Sequence, residues 1–92
     1  MPAHQYINQE QLRALKALDF PTDDEGGYYT IGQLDPELSF NMDHYNNLKE
    51  DIAKNGMKQP IEIRKGQIDD GHHRAVIAKE LGLSSIPVVE ED

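Results

Sequence analysis

The chain has 92 residues, a formal net charge of -8, 37% hydrophobic residues, and neither cysteine nor tryptophan. That length fills a single core, and the missing cysteines exclude disulfides, thiolate catalysis and cysteine metal ligands. No stretch approaches the roughly 20 apolar residues that span a bilayer, and Met1-Pro2-Ala3-His4 lacks the basic and apolar regions of a secretory leader, so a cytoplasmic protein without a membrane partner is expected.

Asn8 and Gln11 form an Asn-x-x-Gln capping box, and Leu12, Leu15 and Leu18 recur at helical spacing, which predicts an amphipathic helix over residues 9–18. Residues 19–27 hold Pro21, further acids and a glycine pair and read as a mobile loop. Residues 1–27 are thus expected as an N-terminal helix and acidic loop, either covering one side of a sheet or serving as a docking arm. The main domain is expected over residues 28–92. It begins with a strand at 28–34, closed by Asp35-Pro36. Asp43 is expected to cap a second helix that carries Tyr45, Leu48 and Ile52 on one face and ends at Asn55-Gly56. After Gln59-Pro60, the alternation at 61–64 predicts a strand with one buried face, and Lys65-Gly66 turns it into a return strand at 67–69. A third helix starts near His72, uses Val76, Ile77 and Leu81, and stops at Gly82. Residues 86–89 form the last strand, expected at a sheet edge because of Pro87. Residues 90–92 read as a frayed acidic tail. The class is α+β, a small mixed sheet flanked by helices with one extra helix at the N-terminus.

One segment points beyond a generic domain. A strand ends in Asp69-Asp70, Gly71 permits a sharp turn, and a helix begins with His72-His73-Arg74. A helix N-terminus offers unpaired N–H groups and partial positive charge, and so favours phosphate. Arg74 offers a two-pronged charged contact and His73 a further hydrogen bond. Basic residues are poor choices for a first helical turn unless an anion is held there. Plainer readings stand beside this one: Asp70 as a helix cap, Arg74 in an ion pair with Asp69 or Asp70, and His72 and His73, about 100° apart on a helix, as a poor chelating pair. Residues 58–79 carry five basic against three acidic side chains, +2 overall, which leaves -10 on the rest. So acidic a body repels polyanions, and independent binding of duplex DNA is not expected, while a compact anion can still be held locally.

At these residues the sequence resembles the ParB/sulfiredoxin superfamily. Sulfiredoxins carry Gly-Cys-His-Arg at this turn and ParB proteins Gly-Glu-Arg-Arg, while some ParB-like kinases and phage proteins carry Asp-Gly-His-His-Arg, as do residues 70–74. The resemblance runs over residues 28–89. It includes Leu48 to Ile52, Gly56, Gln59-Pro60-Ile61, Leu81-Gly82 and Ile86-Pro87-Val88. It implies a nucleotide-binding domain in which Gly71, His72, His73 and Arg74 grip the phosphates of ATP or CTP, faced by His44 and Asn47 on the middle helix. Asp51, on the same helix face, departs from the family pattern. With Asp70 it is a candidate ligand for magnesium carried by the nucleotide, no cofactor being tightly bound; the alternative is a solvated helix face. His72 stands where sulfiredoxins place their nucleophilic cysteine, which excludes sulfinic acid repair.

The leading expectation is a nucleotide-operated switch or a minimal phosphotransfer or hydrolysis enzyme. Asp70 and His72 are the catalytic candidates, and enzyme status stays open. The alternative is a non-enzymatic interaction module with a vestigial pocket, binding a protein partner or a second copy. A ParB-like nuclease comes third, disfavoured by the acidic charge and the missing metal cluster. The helix-turn-helix that follows this domain in full-length ParB has no counterpart in these residues, which argues against partition-complex DNA binding. By analogy, a short stand-alone version belongs to a phage or mobile element, in a bacterium or an infected host cell.

Overall fold

A computed structural model describes residues 5–23 and 26–91. The expected loop's Asp24 and Glu25, the start at residues 1–4 and the tail's Asp92 lie outside these residues. Along the chain run β1 (Gln5–Ile7), α1 (Gln9–Arg13), β2 (Lys16–Pro21), β3 (Tyr28–Thr30), a 3-10 turn (Ile31–Gln33), α2 (Pro36–Ser39), α3 (Met42–Asn55), β4 (Ile61–Arg64), β5 (Gln67–Asp70), α4 (His72–Leu81) and β6 (Ile86–Glu90). The strands form one mixed sheet in the order β1-β6-β4-β5-β2-β3. The hairpin β4–β5 is antiparallel, and parallel pairs join β4 to β6 and β2 to β5.

The alternation at 61–64 does what it predicts: Ile61 and Ile63 are buried, and Ile68 on the return strand joins them. Helix α4 is covered nearly all round, with Ala75, Val76, Ile77 and Ala78 all buried. It touches α1, α3, the 3-10 turn and β4, which makes it the hub of the core. The four consecutive apolar residues 75–78 go right round one helical turn, so they need such surroundings.

Several expectations change. The capping box forms, with Asn8 Oδ1 accepting from Gln11 N–H at 2.8 Å and Gln11 Oε1 from Asn8 N–H at 3.0 Å. The helix nevertheless ends at Arg13, and residues 16–21 are strand. Burial there instead follows a period of two, with Leu15 and Ala17 buried and Lys16 exposed between them. Pairing with β5 decides between the readings: Lys16 faces Gln67, Ala17 faces Ile68, and Lys16 N–H donates to Gly66 O at 3.1 Å. The first 27 residues therefore supply two strands of the main sheet.

The strand expected at 28–34 stops at Thr30. Ile31 and Leu34, three residues apart, are buried through a 3-10 turn instead. Asn41, not Asp43, caps α3, its Oδ1 accepting from His44 N–H at 3.2 Å. The helix α2 was not anticipated; Asp35 caps it and Pro36 opens it. Nor is β6 an edge strand, since β1 pairs with it and Tyr6 lies opposite Pro87. Its pairing with β4 starts at Val88, so that ladder does not call on the proline's missing N–H. Glu90, expected in the frayed tail, closes β6.

Candidate functional site

The β5–α4 turn forms the floor of a cleft of about 590 Å³. Gly71 takes the left-handed conformation at φ 101°, and as the residue before α4 it makes no side-chain cap bond. A side chain there would be strained, and its Cβ would stand 3.3 Å from Arg74 Nε and Nη2. Glycine thus lets the arginine fold back over the turn and leaves the first N–H groups of α4 to other partners.

Arg74 is held firmly. Its Nη1 donates to Gln59 Oε1 at 3.1 Å and to Pro60 O at 3.2 Å, and Nη2 lies 3.4 Å from Asp70 Oδ2. The side chain is only 17% exposed, whereas Asp70 is mostly open. Arg74 therefore has a structural role, tying the start of β4 to that of α4, whatever else it binds.

The two histidines differ. His72 is buried at 7% exposure, its Nε2 accepting from Asp19 N–H at 3.4 Å and its Nδ1 lying 3.4 Å from Asp19 Oδ2. Both ring nitrogens face one residue of β2, so a proton leaving His72 for the cleft would travel by way of Asp19. Burial lowers the His72 pKa, against the pull of Asp19 and Asp70. His73 is half-buried, its ring centroid 4.1 Å from that of Phe40 and 5.1 Å from that of His44. Burial lowers its pKa first, then the neighbouring His44 and His72. Near neutral pH both rings are held towards the uncharged form, and the positive character of the floor comes from Arg74 and the helix terminus.

His44 also lines the cleft, but Asn47 does not. Asp51 accepts from Asn55 Nδ2 at 2.8 Å and lines a separate recess of about 310 Å³ behind Arg74. Asp51 and Asp70 do not line a common hollow. Among the described residues no three His, Asp or Glu side chains form a group suited to a metal ion.

Sequence reasoning missed part of the wall: Asp19 and Phe20 from β2, and Ser39, Phe40 and Asn41 from the link between α2 and α3. Phe20 and Phe40 meet edge to face at 5.6 Å, and Phe20 also meets His72 at 5.8 Å. A signal was present, because the chain has only two phenylalanines, one beside Asp19 and the other between Ser39 and Asn41.

No family model matches the chain. An uncharacterized protein of the Acidianus two-tailed virus is 36% identical over 72 residues, which cover 70% of this chain and 22% of the viral protein. Solved structures that share the fold include two ParB proteins. The Pnob8-like ParB-N domain superposes with a TM-score of 0.62 at 18% identity, over all of this chain and 30% of its own. A C-terminally truncated chromosome-partitioning protein ParB from Caulobacter crescentus, complexed with CTP-gamma-S, gives 0.64 at 20% identity, over 98% of this chain and 44% of its own. The chain thus has the fold of ParB N-terminal domains and spans less than half of each of these relatives. No helix among the described residues is long and apolar enough to cross a membrane.

Proposed function

We propose that the cleft binds a nucleoside triphosphate, ATP or CTP, with its phosphates at the start of α4. The observation that carries this is the ten-residue helix α4, whose first turn is His-His-Arg and whose capping glycine leaves its N–H groups uncovered at the cleft floor. His44 and His73 line the same cleft, and the ParB that shares the fold is complexed with CTP-gamma-S. A magnesium ion would arrive on the phosphates, with Asp70 as its carboxylate ligand from this chain. Asp51 and Asn47 would be reached only by a ligand extending past the cleft.

The reading we favour is a binding switch rather than a hydrolase. The nitrogens of His72 are taken up by Asp19, and Asp70 is left as the one carboxylate at the floor. Thermal denaturation with ATP, CTP, GTP or tripolyphosphate, each with magnesium, tests it. A ligand at 100 times its dissociation constant adds about 2.7 kcal/mol of stability. A shift with triphosphates and no release of phosphate supports the switch. Turnover that Asp70→Asn abolishes supports the enzyme. Silence across the panel refutes nucleotide binding.

The tight hold on Arg74 favours a second reading. Its bonds to Gln59, Pro60 and Asp70 keep the turn intact without any anion, as an interaction module with a vestigial pocket requires.

A further inference from the structure

A second hollow, about 270 Å³, lies beside the cleft and shares Phe20 and Ser39 with it. Its character is different. Tyr29, Leu34 and Leu38 join Phe20 in its wall, and Asp35 is the only charged residue among those described that line it. Leu38 is 87% exposed and Tyr29 41%. Exposed single apolar residues are ordinary, but a leucine and a tyrosine flanking one hollow at the open edge of a sheet are not. Glu37, one residue before Leu38, is also exposed.

From this we infer a docking site for a peptide segment of a partner protein, with a bulky apolar residue seated between Tyr29 and Leu38 and lysine or arginine beside it. Charge chooses the occupant. Asp35 lines the hollow and Glu37 is exposed next to Leu38 in sequence, in a chain whose residues outside 58–79 carry -10, so a basic segment is attracted. A second copy brings the same -8 to the interface and is repelled. Apolar side chains give such an interface its hold, and tyrosine is a common anchor.

The test takes the full chain as bait for a displayed library of random short peptides and measures the enriched ones by fluorescence anisotropy. Expected are peptides with an apolar residue flanked by lysine or arginine. Their affinity falls at least about tenfold with Leu38→Ala and further with Leu38→Asp. Binding is unchanged with Tyr6→Ala, an exposed aromatic on the opposite edge strand β1. It also persists under excess tripolyphosphate or CTP. The inference is overturned by no enrichment, peptides without basic residues, binding indifferent to Leu38→Asp, or displacement by CTP but not by tripolyphosphate, which would assign the hollow to the ring of a nucleotide. Self-association of the chain that Leu38→Asp abolishes would also overturn it, in favour of a second copy.

Discussion

The two ends of α4 are built in opposite ways. At its C-terminus Gly82 adopts the left-handed conformation, and its N–H donates to Ala78 O and Lys79 O. Leu83 N–H also reaches Ala78 O at 3.1 Å, and Gln9 Nε2, from the far end of the sequence, donates to Ala78 O at 2.9 Å and Leu83 O at 2.7 Å. At its N-terminus Gly71 supplies no cap, and the first turn holds three basic or titratable side chains and no acid. A helix needs both ends satisfied. One end is closed by the protein itself; the other faces a cleft. The contrast supports the proposal that the N-terminal end receives a ligand.

Four measurements test that contrast, the largest effect first. Arg74→Ala should weaken triphosphate binding by roughly 10- to 100-fold, because a hydrogen bond to a charged group is worth about 1.5–3 kcal/mol. Calorimetric titration against Arg64→Ala is the check. Arg64 pairs with Asp69 and Glu91 on the exposed side of β4 and should matter little. Equal losses in the two variants would mean that only overall charge counts. Arg74→Ala should also destabilise the fold measurably, since Gln59 and Pro60 lose their donor.

Gly71→Ala should cost about 1–2 kcal/mol for the left-handed backbone, plus displacement of the Arg74 guanidinium from its present position. Urea denaturation gives the first, and titration gives the accompanying loss of affinity. Unchanged binding with reduced stability would reduce the turn to a structural element.

Gln9→Ala removes two bonds at the closed end and should cost about 1–2 kcal/mol by the same urea assay. Binding by the folded fraction should be unaffected. If Gln9→Ala weakens triphosphate binding as much as Gly71→Ala does, the two ends are not functionally distinct and the comparison fails.

The smallest effect is in pH. The pKa values of His72 and His73 are lowered in the folded protein, so the unfolded chain takes up protons first as pH falls below about 6.5. Their contribution to stability is complete above that pH and declines as it falls towards their folded values. A bound phosphate reverses the sign for His73, because an anion favours the imidazolium, so affinity should rise as pH falls from 7. Glu62 works against the stability trend, its pKa raised by hydrogen bonds to Glu91 and Asp70. The difference between wild type and His73→Gln isolates the histidine. An affinity that falls with acidification would place the phosphate away from His73.

The readings that succeeded from sequence rest on local rules. Glycine at 71 and 82, the alternation at 61–64 and the capping box at Asn8 are each dictated by neighbours a few residues away. The Gly71–Arg74 turn was legible for the same reason, being contiguous. The architecture of the N-terminal section was not. Leu12, Leu15 and Leu18 recur at helical spacing while Leu15 and Ala17 recur at strand spacing, and only pairing with β5 chooses strand for residues 16–21. Likewise Pro87 suggests an edge, but β1, distant in sequence, covers it.

The sequence by itself therefore determined the α+β class and the floor of the cleft, because backbone conformation and helix termini follow from adjacent residues. Tertiary structure decided the walls and the state of the floor. Phe20 and Phe40 come together from separate elements, Asp19 reaches His72 across 53 positions, and Gln59 and Pro60 lock Arg74 from before β4. Such contacts depend on which strand pairs with which, and pairing between distant segments is set by the sum of buried surface and hydrogen bonds over the whole sheet.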